Sequence, residues 1–198
     1  MNTLLPFEDL PDSLAVAPST ARLAALVGNM AQGRPDDFQT PPAALAPLLP
    51  YLRPFRRIWE PACGRGNLVR ALSAVGHDVT GTDILTGQNF FETESECDAL
   101  VTNPPYSCKN DFLARCYALG KPFALLMPLA ALESSARQSL YRAHGLECIF
   151  LPRRVNFETP SGAGTGAWFA TAWFTHGMNL GGQMIFAEAE SGGAQAKL

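Results

Sequence analysis

The sequence predicts an α/β domain with a mostly parallel sheet, helices on both of its faces and an antiparallel edge made by the C-terminal third. Three observations lead there. Short β-rich runs alternate with helical stretches from Arg57 to about Leu151, which returns each strand in the same direction. A glycine turn at Gly64 and Gly66 follows the first of these runs and opens a helix. After Leu151 the alternation stops, and Trp168 to Thr175 and Met184 to Ala187 are extended with no helix between them, which calls for antiparallel pairing.

Residues 1–36 read as an N-terminal arm, with one helix expected over Ser19 to Met30, where Leu23, Leu26 and Val27 share a face. The catalytic domain is expected over 37–188, and 189–198 as a disordered tail without a packing pattern. From Thr40 the run T-P-P-A-A-L-A-P-L-L-P-Y-L offers Thr40 as a cap and prolines in the first turn, so a short helix is expected before the first strand. Strands then follow at Arg57 to Glu60, Asp78 to Thr82, Asp98 to Thr102, Phe123 to Pro128 and Glu147 to Leu151. Helices are expected between them over Asn67 to Val75, Asn110 to Leu119 and Glu133 to His144.

Composition limits the classes of function. At 198 residues, 47 % hydrophobic and 17 % charged, the chain suits one soluble domain with a real core. It shows neither an apolar run long enough to span a membrane nor a targeting segment, so a cytoplasmic place is expected, in a bacterium or a phage-infected host. Cys63, Cys97, Cys108, Cys116 and Cys148 lack C-x-x-C spacing and read as reduced packing residues. His77, His144 and His176 read as isolated from one another and from acidic clusters, so no metal is expected. A net charge of −3 excludes a global positive field for nucleic acid. A local basic face is left, with candidates at Arg53, Arg56 and Arg57, at Lys109 and Arg115, and at Arg153 with Arg154, each equally readable as solvated surface charge.

The first strand runs into E-P-A-C-G-R-G-N, residues Glu60 to Asn67. Without Cβ atoms, Gly64 and Gly66 let the backbone turn tightly and let a nucleoside-bearing ligand lie on it at the carboxyl edge of the sheet. Val69 stands where a dinucleotide fingerprint has its third glycine, which argues against a nicotinamide enzyme. Asp83, after the second strand, is placed either to accept ribose hydroxyls or to cap a turn. Asn103-Pro104-Pro105-Tyr106 follows the strand Asp98 to Thr102 and carries the reactive chemistry. An exocyclic amine is a poor nucleophile because its lone pair is delocalised into the ring. The Asn103 side-chain oxygen and the Pro104 carbonyl can each accept one N–H and aim the lone pair at an electrophilic methyl. The prolines fix that carbonyl, and Tyr106 offers a face for a base extruded from the duplex. The plain alternative is a turn ending a strand.

At these residues the chain resembles the S-adenosylmethionine-dependent amino-methyltransferases of the adenine-N6 DNA type, in particular the short phage-like enzymes with an N-P-P-Y motif. Glu60, four positions before Gly64, fits that arrangement. The resemblance covers Asp37 to about His176 and implies a Rossmann-like class I methyltransferase fold with S-adenosylmethionine as cofactor. It assigns Phe38, Thr40 and Pro41 to the methionine end of the cofactor. It also assigns Glu60, Pro61, Ala62, Gly64, Gly66, Asp83, Ile84, Asn89, Phe90 and Asn103 to cofactor binding. Asn103, Pro104, Pro105 and Tyr106 are the implied catalytic residues, and Tyr106, Lys109, Arg154 and Phe157 the implied substrate contacts. Asn89 departs from the usual Asp, exchanging a pure acceptor for a mixed donor and acceptor. Arg154 and Phe157 also read as a surface arginine and a core aromatic, and T-P-S-G-A-G-T-G as a substrate-facing loop or a hairpin tip.

DNA is the implied partner, with RNA adenine, cytosine N4 and protein glutamine as alternative acceptors and a non-catalytic nucleic-acid-binding subunit as the alternative class. The sequence shows no long segment for target recognition. Recognition is therefore expected from short loops, the arm, a second copy of the chain or a separate subunit.

Overall fold

In the computed structural model the described residues are 38–158 and 169–188, with Ala24 standing alone before them. The expected helix over Ser19 to Met30, the T-P-S-G-A-G-T-G segment, Trp168 and the 189–198 tail lie outside these residues.

The strands are β1 (Arg57–Glu60), β2 (Asp78–Gly81), β3 (Ala99–Thr102), β4 (Phe123–Pro128), β5 (Glu147–Phe150), β6 (Thr171–His176) and β7 (Met184–Phe186). They form one sheet in the order β2-β1-β3-β4-β6-β5-β7. The helices are α1 (Leu49–Leu52), α2 (Asn67–Ala74), α3 (Lys109–Ala118) and α4 (Ser135–His144). The sheet is mostly parallel, as the alternation predicts. Its antiparallel member is β6, which threads between β4 and β5 and opposes both. The outermost strand, β7, pairs with β5 in parallel.

Strand order reverses between β1 and β3, because the chain places β2 on one side of β1 and then returns to the other. The carboxyl ends of β1 and β3 therefore splay into a crevice at the switch point, where ligands of open α/β sheets bind. Glu60 ends β1 and Asn103 follows β3, so both sit at that crevice.

Both faces of the sheet are covered, which explains why β3 and β4 are nearly continuous apolar runs. Along β4, Phe123, Leu125 and Met127 pack on one side with Phe112 and Leu113 of α3 and Leu140 of α4. Ala124 and Leu126 pack on the other with Leu48, Leu52 and Leu72. The two buried indoles are each anchored by a hydrogen bond: Trp59 Nε1 donates to Thr82 Oγ1 at 2.8 Å and Trp173 Nε1 to the Ala44 carbonyl at 2.8 Å.

Three expectations are corrected. The run after Thr40 is not one helix capped by Thr40. It splits into a 3-10 turn over Pro42–Ala44, with Pro41 at its cap position, and the single turn α1. Pro47 and Pro50 lack the N–H groups that a continuous helix would use, and the Thr40 hydroxyl is buried without a hydrogen bond. The helix expected from Glu133 starts at Ser135, after a 3-10 turn over Leu129–Leu132 and a positive φ of 93° at Ser134. Nor are the histidines all isolated, since Tyr117 stacks on His144 at 4.9 Å and meets His176 edge-on at 5.2 Å. Burial lowers the pKa of both rings, and the charge of His144 lowers that of His176 further.

Sequence spacing also hides how α2 packs. Val69 takes the place where a third glycine would let helix and strand approach, and Gly81 on β2 makes the room instead. A Cβ on Gly81 would stand 2.8 Å from Val69 Cγ2 and 3.3 Å from Cys63 Cβ. Valine is stiff at χ1 and cannot swing aside. Gly81→Ala is expected to cost about 1–3 kcal/mol as an overpacking change, read as a lowered denaturation midpoint. Adding Val69→Ala should recover part of that loss, and a purely additive double variant would refute the contact.

Candidate functional site

Four backbone segments converge at the crevice: the strap Phe38–Thr40, the glycine loop after β1, the turn after β2 and the tetrapeptide after β3. The loop is shaped by Gly64 and Gly66, whose φ angles of +51° and +78° are left-handed. Asp83 holds it from below. Its Oδ2 accepts the Gly64 N–H at 2.8 Å, while its Oδ1 accepts the Leu85 N–H at 2.8 Å and caps the 3-10 turn Ile84–Thr86. The capping role foreseen as an alternative is therefore present, and each oxygen keeps a second lone pair.

The strap crosses above the loop. The side chain of Gln39 lies over Gly64, where its Nε2 comes within 2.5 Å of the position a Cβ would take. Its Oε1 accepts the Arg65 N–H at 3.0 Å. The strap is latched by a two-way backbone bridge between Gln39 and Glu158, each N–H donating to the other's carbonyl at 3.0 Å.

The third link reaches the tetrapeptide. Asn103 Nδ2 donates to the Phe38 carbonyl at 3.0 Å. A carbonyl can only accept, so this bond fixes which way the amide faces and leaves Oδ1 on the opposite side. That oxygen is buried with no hydrogen-bond partner among the described residues. Four aromatic rings from the strap, the tetrapeptide and the later chain group together. Phe38 lies 6.2 Å from Tyr106 and 5.4 Å from Phe157, and Phe169 lies 5.6 Å from Tyr106.

Two further acceptors are orphaned nearby in the fold. Glu60 is 1 % exposed, and its Oε2 has no hydrogen-bond partner among the described residues. Burial drives its pKa well above the ordinary 4.5, the Thr102 hydroxyl opposes the shift, and the charge of Asp83 adds to it. The Thr40 hydroxyl is the second. Cys63 is no nucleophile: burial and the neighbouring Asp83 and Glu60 push its thiol up to about 11.

Pro61, Ala62, Asp83, Ile84, Asn89 and Phe90 line one small cavity of about 20 Å³ with Phe91, Pro105 and Phe112. It is far smaller than a nucleobase, so a planar ligand enters only if the turn carrying Asn89 yields. Asn89 itself caps that turn, its Oδ1 accepting the Phe91 N–H at 3.2 Å. Phe90 is core, stacked on Phe112 at 4.5 Å.

The expected substrate contacts divide. Tyr106 joins the aromatic group, and Phe157 joins it as a residue only 2 % exposed, the core aromatic of its alternative reading. Lys109 folds back, with Nζ donating to the Tyr106 carbonyl at 3.0 Å. Arg154 points outward and Pro41 lies at the strap's far end, both lining a separate groove. Sequence reading missed the Gln39 side chain and Phe169. The only signal for Gln39 was its place between Phe38 and Thr40.

No family model and no curated protein matches this chain. Among solved structures it is similar to the modification subunit of a candidate type I restriction enzyme from Vibrio vulnificus, with 14 % identity and a TM-score of 0.45 over 81 % of this chain and 50 % of that one. It is also similar to a candidate RNA methyltransferase from Pyrococcus horikoshii, with 11 % identity and a TM-score of 0.46 over 79 % and 97 %. A type I restriction-modification methyltransferase subunit from Streptococcus thermophilus gives 14 % and 0.44 over 86 % and 46 %. The chain spans about half the length of both restriction-modification subunits. Likeness at this level carries no part of the argument that follows.

The raised Glu60 pKa gives a signed prediction. The folded state holds this proton more tightly than the unfolded chain, so the group's contribution to stability is complete below 4.5 and is lost as pH rises through the folded pKa. Glu60→Gln is expected to raise the melting temperature of the ligand-free protein at neutral pH and to flatten its decline with rising pH. An unchanged pH profile in the variant would contradict the assignment.

Proposed function

We propose that this chain is an S-adenosylmethionine-dependent methyltransferase acting on the exocyclic N6 amine of adenine in DNA. The observation that carries the reading is the Asn103 amide, tied through Nδ2 to the Phe38 carbonyl and holding a buried Oδ1 that has no hydrogen-bond partner among the described residues. An unsatisfied buried acceptor costs roughly 1–3 kcal/mol. A substrate N–H is the partner that recovers it.

The residues present fit the cofactor. Glu60 Oε2 and the Thr40 hydroxyl are buried without hydrogen-bond partners among the described residues, and Pro61, Ala62 and Ile84 line the small apolar cavity that widens to take an adenine ring once the turn carrying Asn89 yields. Asp83, with lone pairs to spare, serves the ribose. The Arg65 N–H, covered by Gln39, is a donor for the methionine carboxylate once that side chain swings away. When bound, S-adenosylmethionine supplies an electrophilic methyl.

Asn103 Oδ1 accepts one N–H of the amine, and the Pro104 carbonyl the other. Together they draw the nitrogen towards tetrahedral geometry and stabilise the charge that grows on it. Neither is a strong base, so the proton leaves to solvent. Pro104 and Pro105 keep this segment rigid, while Tyr106, with Phe38 and Phe169 around it, provides the faces on which an extruded base stacks.

The test is transfer of tritiated methyl from S-adenosylmethionine to unmethylated duplex DNA, single-stranded DNA, total RNA and cell protein, followed by nucleoside analysis. N6-methyldeoxyadenosine is the expected product. Asn103→Ala should keep cofactor affinity and lose turnover by about 10²–10³-fold, the usual cost of one such polar contact. Wild-type turnover in that variant would overturn the mechanism, and label confined to cytosine, RNA or protein would overturn the substrate.

A further inference from the structure

Beside the site runs a second, much larger concavity. It measures about 1050 Å³ and lies between residues 41–51, which include α1, on one wall and residues 151–156 on the other, with Ile149 and Ile185 in its floor. Its volume matches pockets that hold whole drug-sized ligands, ~300–1,000 Å³. Its walls adjoin the aromatic group along the chain. Pro41 in one wall follows Thr40, and Asn156 in the other precedes Phe157. Both walls are closed at one end by the Gln39–Glu158 bridge.

The wall after β5 alternates. Val155 and Phe157 are buried, whereas Arg153, Arg154 and Asn156 are exposed and line the groove. Since β5 runs parallel to β3 and β4, these residues lie at the carboxyl edge, on the same side of the sheet as Asn103.

The other basic candidates are spent or misplaced. Arg57 pairs with Glu96 and Asp98, and Arg115 with Glu94. Lys109 is held by the Tyr106 carbonyl. Arg53 and Arg56 precede β1 and so stand at the opposite, amino edge. Arg153 and Arg154 have no ion pair or hydrogen bond among the described residues, and Glu188 at the groove's far end is the single acid in its lining.

We infer that this groove holds the nucleic-acid strand flanking the methylated base, with Arg153 and Arg154 contacting its phosphates and the proline-rich wall of Pro41, Pro47 and Pro50 packing on its sugars. The inference rests on the proposed methyl transfer to a nucleic acid and assigns the contact that a chain of net charge −3 otherwise lacks. Guanidinium groups are the fitting residues, because they meet phosphate oxygens through paired N–H donors. DNA and RNA share this chemistry.

The experiment measures binding of labelled duplex DNA, single-stranded DNA and RNA oligonucleotides to the full chain by fluorescence anisotropy across salt concentrations. The wild type is compared with Arg153→Gln/Arg154→Gln. The preferred oligonucleotide should bind the variant at least about tenfold more weakly. Its slope of log affinity against log salt should fall by about 1.8 for a duplex or about 1.4 for a single strand, two contacts at ~0.9 or ~0.7 each. Affinity for S-adenosylhomocysteine should not change, and Arg53→Gln/Arg56→Gln should keep the wild-type slope.

An unchanged slope in Arg153→Gln/Arg154→Gln, while the wild type still methylates the oligonucleotide, would overturn the groove assignment and leave the proposed reaction intact. Absence of binding to any oligonucleotide, with methyl label appearing on protein, would overturn both.

Discussion

The site is organised by one hydrogen bond, from the Asn103 side-chain amide to the Phe38 carbonyl. It joins a strap 65 residues earlier in the chain to the carboxyl end of β3 and decides which atom of the amide faces the crevice. The same strap holds the glycine loop through Gln39 and reaches the wall after β5 through its bridge to Glu158. Phe38 and Gln39 thus tie together the tetrapeptide, the glycine loop and the wall after β5. A shift of the strap to admit a ligand at the loop would move the carbonyl that orients Asn103, so in the proposed reaction cofactor binding would be mechanically linked to amine alignment.

The sheet makes this arrangement affordable in free energy. Fully buried strands, two anchored indoles and the buried Arg137, whose guanidinium donates to the Ala130, Ala131 and Glu133 carbonyls and to Asn110 Oδ1, are satisfied by their neighbours. At the crevice the balance is opposite. Glu60, Thr40 and Asn103 each bury a polar atom with no hydrogen-bond partner among the described residues. Such groups are costly in an empty fold and favourable in an occupied one. Others lie buried elsewhere in the fold, among them His144 Nε2, Glu147 Oε2 and Thr171 Oγ1, so it is the meeting of these three with the glycine loop at the switch point that supports a ligand site there.

Much of this was legible in the sequence, and what escaped it did so for identifiable reasons. Hydrophobic runs and glycine punctuation placed β1 through β5 within a residue or so, because buried strands such as β3 and β4 leave a local record and the turn after α2 marks the start of the exposed edge strand β2. The place of β6 between β4 and β5 did not show, since strand order is settled by packing across more than twenty residues of chain. The helix expected after Thr40 failed because Pro47 and Pro50 outweigh apolar spacing. Asn103, Glu60 and Asp83 stand out in the sequence because each follows or ends a strand at the open edge. Gln39 was not, because its role comes from lying over a glycine far along the chain. The meeting of His144 and His176 around Tyr117 was missed for the same reason.

The measurement that bears most directly on the account is the thermal stability of the protein with and without S-adenosylhomocysteine, which offers the nucleoside and amino-acid ends without a transferable methyl. If the orphaned acceptors are a cofactor site, ligand at about a hundred times its dissociation constant should add about 2.7 kcal/mol. For a chain of this size that is a rise of roughly 5–10 °C in melting temperature. A melting temperature unmoved by millimolar ligand would mean that Glu60 and Thr40 are buried for some other reason, and the functional reading would fall with them.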